Sequence, residues 1–130
     1  MSANSTKPAR QRYVHDFENM PKANLLGDQL SPATGVSFTG ERVYVGVVHI
    51  PRGTGAKAHY HVDETFNYML QGTLKVVMDG EEFLVPKGSL LHIPRGVVHV
   101  TGATPEEDAV YVVCRDTTSM SSGQPATVEV

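Results

Sequence analysis

The chain has 130 residues, a formal net charge of −3 and 40% hydrophobic residues. A chain of this length supports one domain, and its average apolar content excludes general disorder. Because Cys114 is the single cysteine, an internal disulfide framework and a cysteine-based zinc cluster are also excluded.

Basic residues are concentrated at the start of the chain. Residues 1–12 carry Lys7, Arg10 and Arg12 and no acid, so a charge of +3 there leaves −6 for the remaining 118 residues. This acidic remainder argues against a nucleic-acid-binding domain. The sequence has no secretory signal and no apolar run near the ~20 residues of a membrane-spanning helix. We therefore expect a cytoplasmic protein that acts without a membrane or nucleic acid.

Short apolar segments alternate with turn signals along the chain, which is typical of an all-β protein. The pattern predicts strands over residues 42–50, 66–70, 74–78, 83–85, 90–93 and 109–115. The weakly helical segment 17–30 is interrupted by Pro21 and Gly27. Asp79-Gly80 predicts a two-residue hairpin turn, because both residues tolerate positive φ. Turns about every eight residues indicate a sandwich or a small barrel.

These patterns divide the chain into three parts. We expect residues 1–12 to form a flexible arm and residues 13–116 to form a single domain. Residues 117–130 are expected to be a tail that carries one edge strand at 126–130 or none.

The histidines are the strongest candidates for chemistry. His59 and His61 are separated by one residue, and alternate side chains of a strand share a face at about 6–7 Å. Two such imidazoles can converge on one metal ion, and neutral imidazole suits Zn, Fe(II), Cu, Ni and Mn. His99, which follows the turn at residues 94–96, is the candidate for a third ligand.

Two segments resemble the conserved motifs of the cupin superfamily. Gly53–Gly72 is similar to the first motif, G-x5-H-x-H-x3-4-E-x6-G. Gly88–His99 is similar to the second, G-x5-P-x-G-x2-H-x3-N, as far as its histidine. The resemblance implies a double-stranded β-helix, or jelly-roll barrel, that is often a homodimer. It also implies one divalent metal ion per chain, held by three histidines and usually one glutamate.

The chain departs from the first motif at the glutamate. Counted back from Gly72, that position is Thr65, and Glu64 comes one residue early. With a regular strand, Thr65, Asn67 and Met69 point into the barrel and the site has three imidazole ligands. With a β-bulge near Asn67, Glu64 becomes the fourth ligand. The consistently apolar residues 66, 68 and 70 favour the regular strand.

Other polar residues are predicted to have structural roles. His92 alternates with its apolar neighbours and should face away from the ligand set. His49 has the parity of residues 43, 45 and 47, which allows a place in the barrel, but its position at a strand end favours a structural role. Arg52 and Arg95 are most simply solvated turn residues.

An ion held by three histidines supports two kinds of chemistry. Fe(II) can bind a substrate beside dioxygen, whereas zinc can polarise a carbonyl or activate water. The superfamily includes dioxygenases, isomerases, lyases and polyketide cyclases, so we place a non-haem Fe(II) dioxygenase first and a redox-inert lyase, isomerase or cyclase second. A ligand-binding protein without turnover is the alternative from another class. The expected aliphatic lumen suits a small, fairly apolar, oxygen-bearing substrate.

Overall fold

The computed structural model describes residues 6–25 and 30–117, together with the backbone of residues 124–125. Its helical structure is limited to helix α1 (Ala9–Tyr13) and a 3-10 helix (Phe17–Asn19) within these residues. The strands are β1 (Ala23–Asn24), β2 (Thr34–Thr39), β3 (Val43–Ile50), β4 (His59–Tyr60), β5 (Thr65–Gln71), β6 (Leu74–Met78), β7 (Glu81–Val85), β8 (Leu90–Ile93), β9 (His99–Ala103), β10 (Ala109–Asp116) and β11 (Gln124–Pro125).

The strands form two antiparallel sheets. The six-stranded sheet has the order β1-β2-β3-β10-β5-β8, and the five-stranded sheet has the order β11-β4-β9-β6-β7. Neighbours in each sheet are mostly distant in sequence, as in a double-stranded β-helix. The predicted all-β jelly-roll barrel is therefore confirmed.

Most predicted strands are present within one or two residues of their expected bounds. The hairpin turn between β6 and β7 is also confirmed, since Asp79 has φ 54° and Gly80 has φ 76°. Positive φ at both central residues gives the turn the twist that joins two antiparallel strands.

The N-terminal and C-terminal regions contain elements that the sequence did not predict. The segment 17–30 forms only the 3-10 helix and β1 within the described residues, and strand β2 was not predicted. Helix α1 overlaps the end of the expected flexible arm. In the tail, β11 pairs with β4, whereas the expected edge strand at 126–130 lies outside the described residues.

The core lies between the two sheets. Ile50, Met69, Leu74 and Val76 are its largest fully buried apolar side chains, and burying each contributes roughly 1.5–3 kcal/mol. The outer face of the six-stranded sheet, in contrast, exposes apolar side chains along β5 and β8. We call this surface the outer apolar strip, formed by Tyr68, Leu70 and Leu90. No helix of the described residues is long and apolar enough to cross a membrane.

Candidate metal centre

Three histidine side chains meet inside the barrel. His59 and His99 face each other in the antiparallel pair β4–β9, and their ring centroids are 4.3 Å apart. The ring centroid of His61, just after β4, lies 5.0 Å from that of His59 and 5.3 Å from that of His99. One ring nitrogen from each lies within 4.8 Å of the others. This His triad, as we call the three residues, could hold a metal ion.

Backbone hydrogen bonds bring the two motif segments together. The Gly96 N–H donates to the carbonyl of His61 at 2.8 Å, and the Ala56 N–H donates to the carbonyl of Thr101 at 2.8 Å. A Cβ on Gly55 would lie only 2.5 Å from that Thr101 oxygen. The glycine therefore allows the close approach that holds the first motif segment against β9.

Two of the three imidazoles are oriented by backbone carbonyls. His59 Nδ1 lies 2.7 Å from the oxygen of Lys57, and His99 Nδ1 lies 2.9 Å from the oxygen of Val97. A carbonyl oxygen only accepts hydrogen bonds, so each Nδ1 carries the proton and each Nε2 keeps its lone pair. Metal-binding histidines are commonly fixed in this way.

His61 differs, because its Nδ1 is buried and has no hydrogen-bond partner among the described residues. A buried polar atom without a partner costs free energy. A metal ion would give the imidazole of His61 a partner, so the orphaned nitrogen fits a metal-binding residue.

The three rings are neutral near pH 7. Burial lowers the pKa of His61 to about 3, and the charges of His59, His99 and Arg115 act in the same direction. Burial also lowers the pKa of His99 to about 4, against the raising effect of the Val97 carbonyl. The pKa of His59 is lowered by burial too. Because only a neutral imidazole can donate its lone pair, this environment suits metal binding.

The His triad lines a pocket inside the barrel. Its walls combine aliphatic side chains such as Val48, Ile50 and Ile93 with hydroxyl, amide and guanidinium groups. Thr65 and Asn67 line the pocket, and Thr65 Oγ1 and Asn67 Oδ1 are buried with no hydrogen-bond partner in the part of the chain that the structure describes. These polar atoms are available to a bound molecule.

Strand β5 pairs regularly with β8 from Thr65 to Tyr68. Thr65, Asn67 and Met69 are buried, whereas Glu64 is exposed and accepts a hydrogen bond from His92 Nε2 at 2.8 Å. The strand has no bulge near Asn67, since its register shifts only between Met69 and Gln71. Glu64 therefore lies outside the His triad.

His49 also lies outside the pocket. Its Nε2 is 2.7 Å from Asp108 Oδ2, and the other carboxylate oxygen, Asp108 Oδ1, accepts a hydrogen bond from the Arg52 backbone N–H at 2.8 Å. The alternation along β3 allowed His49 to point into the barrel together with residues 43, 45 and 47. This alternative is wrong, because the structure turns Val48 and Ile50 inward instead. Both faces of β3 are rich in apolar residues, so alternation could not distinguish them.

The lumen is more polar than the aliphatic one expected from the sequence. Tyr44, Tyr111 and Arg115 line the pocket beside the His triad. Burial raises the pKa of Tyr111, and Tyr44 adds to this effect, so its hydroxyl keeps its proton. Sequence reasoning missed these residues, although the alternation of β10 puts Arg115 on the same face as Tyr111.

Comparison with known proteins gives a family match. The model of the family described as "Cupin domain" matches residues 46–114. No curated protein sequence matches the chain.

Several solved structures are similar in fold. A cupin-like protein from Thermotoga maritima gives a TM-score of 0.70 at 16% identity, covering 83% of this chain and 87% of that one. The polyketide cyclase RemF from Streptomyces resistomycificus gives 0.74 at 15% identity, covering 88% and 85%. The DMSP lyase DddQ from Ruegeria pomeroyi gives 0.63 at 17% identity, covering 74% of this chain and 53% of that one.

Proposed function

This chain belongs to the cupin domain family, and from that premise we propose that it is a metal-dependent enzyme that acts on a small molecule by Lewis-acid chemistry. The reaction class is a lyase, isomerase or cyclase reaction. The observation that carries the proposal is the convergence of three buried, neutral imidazoles, a group that contains no carboxylate from the described residues.

In this proposal His59, His61 and His99 hold one divalent transition-metal ion. The donor set fits such an ion, because two rings have Nδ1 occupied by a carbonyl and the third has a buried nitrogen without a partner. Three neutral ligands leave the full charge of the ion in place, which favours Lewis acidity. When bound, the ion supplies polarisation of a substrate oxygen or a lowered pKa of bound water.

The chain's own residues exclude water and supply hydrogen bonds. Apolar walls make the pocket a low-dielectric environment, in which each hydrogen bond to the substrate is stronger. Thr65 and Asn67 orient the substrate through polar atoms that have no partner in the apoprotein. The Tyr111 hydroxyl stays protonated and donates a hydrogen bond to developing negative charge.

Two structural neighbours support redox-inert chemistry, because their names state a cyclase and a lyase activity. The non-haem Fe(II) dioxygenase, which was the first expectation from the sequence, becomes the second candidate. It is favoured by the small number of protein ligands, which leaves positions on one ion for both a substrate and dioxygen.

Metal identity and oxygen dependence separate these two candidates. Untagged protein purified without chelator is analysed for metals and then incubated with small ketones, aldehydes and hydroxy compounds, charged and neutral. Zinc, nickel or manganese with turnover that is independent of oxygen supports the Lewis-acid enzyme. Iron with stoichiometric oxygen uptake supports the dioxygenase instead, and protein that retains no metal after reconstitution refutes both.

A further inference from the structure

The pocket contains one permanently charged side chain, that of Arg115, among the described residues. Arg115 lies at the end of β10, opposite Tyr44 on β3 and opposite Thr65 on β5. Three neighbouring strands thus contribute one row of inward-facing side chains. We call Tyr44, Arg115 and Thr65 the polar row.

Tyr44 fixes the position of the guanidinium. The Cζ atom of Arg115 lies 4.5 Å from the centroid of the Tyr44 ring, which is within the range of a cation–π interaction. A cation–π contact is not a hydrogen bond, so the N–H donors of the guanidinium remain available for other contacts. The ring therefore orients the charged group without using its hydrogen bonds.

Arg115 has no anionic partner in the part of the chain that the structure describes. The ion pairs found there join His49 to Asp108, Lys75 to Glu82 and His92 to Glu64. A half-buried charge without a counter-ion is costly, and a bound anion would remove that cost. Next to it, Thr65 Oγ1 is buried and also has no partner.

We infer that Arg115 binds a carboxylate of the substrate, so that the substrate is a small organic acid. This inference rests on the proposed function, because it takes the pocket beside the His triad as the substrate site. Thr65 supplies the second contact to the carboxylate, and the remaining oxygen of the substrate points towards the His triad. A single guanidinium with no second lysine or arginine in the lining fits a monoanion better than a phosphate dianion.

The test is calorimetric titration of the zinc-loaded protein with lactate, with its neutral isostere lactamide and with inorganic phosphate. We expect lactate to bind at least tenfold more tightly than lactamide. Arg115→Gln should weaken lactate binding roughly ten- to hundredfold, because a hydrogen-bonded charge pair is lost, and should weaken lactamide binding by a smaller factor, because the amide carries no charge. Arg115→Lys keeps the positive charge but loses the planar guanidinium, so it should bind lactate with an intermediate affinity. This variant replaces Arg115→Gln in the test if the glutamine variant does not fold.

Arg95→Gln is the matched control, since Arg95 is an exposed arginine outside the pocket lining. Unchanged lactate affinity in both Arg115 variants with normal zinc content overturns the inference. Phosphate that binds more tightly than lactate in an Arg115-dependent manner overturns the assignment to a carboxylate.

The zinc content of every sample separates this inference from the proposed function. If the wild type binds none of zinc, nickel, manganese and iron after reconstitution, the proposed metal chemistry fails, and lactate is titrated into the metal-free protein. Arg115-dependent binding there still supports the anion site, whereas its absence refutes it.

Discussion

Replacement of His99 by Ala should remove most of the stabilisation of the fold by zinc. With zinc at 100 times its Kd, the wild-type protein gains about 2.7 kcal/mol of unfolding free energy. Loss of a group that merely orients a ligand commonly weakens metal binding by about 10–100-fold. Removal of one of three ligands should therefore weaken it at least about 100-fold, and at the same zinc concentration the variant gains only about 0.4 kcal/mol.

The assay is urea unfolding of each protein with and without zinc. The difference between the two conditions cancels the effect of the substitution on the metal-free fold, which matters because the His99 side chain is 1% exposed. His92→Ala is the control, since His92 lies on the outer face and pairs with Glu64. It should keep the full zinc-dependent gain. If zinc raised the unfolding free energy of His99→Ala and of the wild type equally, the conclusion that the three histidines bind one metal ion would be refuted.

Four further outcomes are expected. Glu64→Gln should leave zinc affinity unchanged, and a tenfold loss measured by competition with a chelator would instead support a carboxylate ligand. Gly72→Ala should lower the unfolding free energy by roughly 2–5 kcal/mol through strain and overpacking, because Gly72 has φ 71° and a Cβ would lie 2.3 Å from the Asp108 carbonyl oxygen. Hydrogen bonds from the Arg52 backbone N–H and from His49 lower the pKa of Asp108. Asp108→Asn should therefore destabilise the protein above pH 5, and the destabilisation should decrease as the pH falls below 4. Urea unfolding at a series of pH values measures this effect. The outer apolar strip predicts a homodimer, and sedimentation at the monomer mass of 14.1 kDa at micromolar concentration would contradict it.

The fold could be predicted from the sequence because turn signals and apolar segments repeat at a short and regular interval. Strands β6 and β8 begin and end where the pattern places them. Strand β2 was missed because its sequence, TGVSFT, contains Gly35 and Ser37 and lacks a continuous apolar pattern. Tertiary pairing with β3, which residue propensities do not encode, makes it a strand.

The candidate site could also be predicted from the sequence, for a different reason. Two histidines at alternate positions and a third after a tight turn fall into fixed places once the two motif segments pair, and His59 faces His99 directly. The local sequence indicates where each of these residues lies within its segment. It contains no information on the buried nitrogen of His61 or on the carbonyls that orient the other two rings, because these depend on packing.

The composition of the pocket depends on which face of β10 points inward. This strand, AVYVVCRD, is apolar on both faces over most of its length, so alternation does not identify the inner face. Its register with β3 and β5 places Tyr111, Val113 and Arg115 in the lumen. A shift of one residue would turn Asp116 inward and make the pocket anionic. The charge of the pocket, and with it the class of substrate, therefore follows from strand register rather than from the amino-acid composition of the strand.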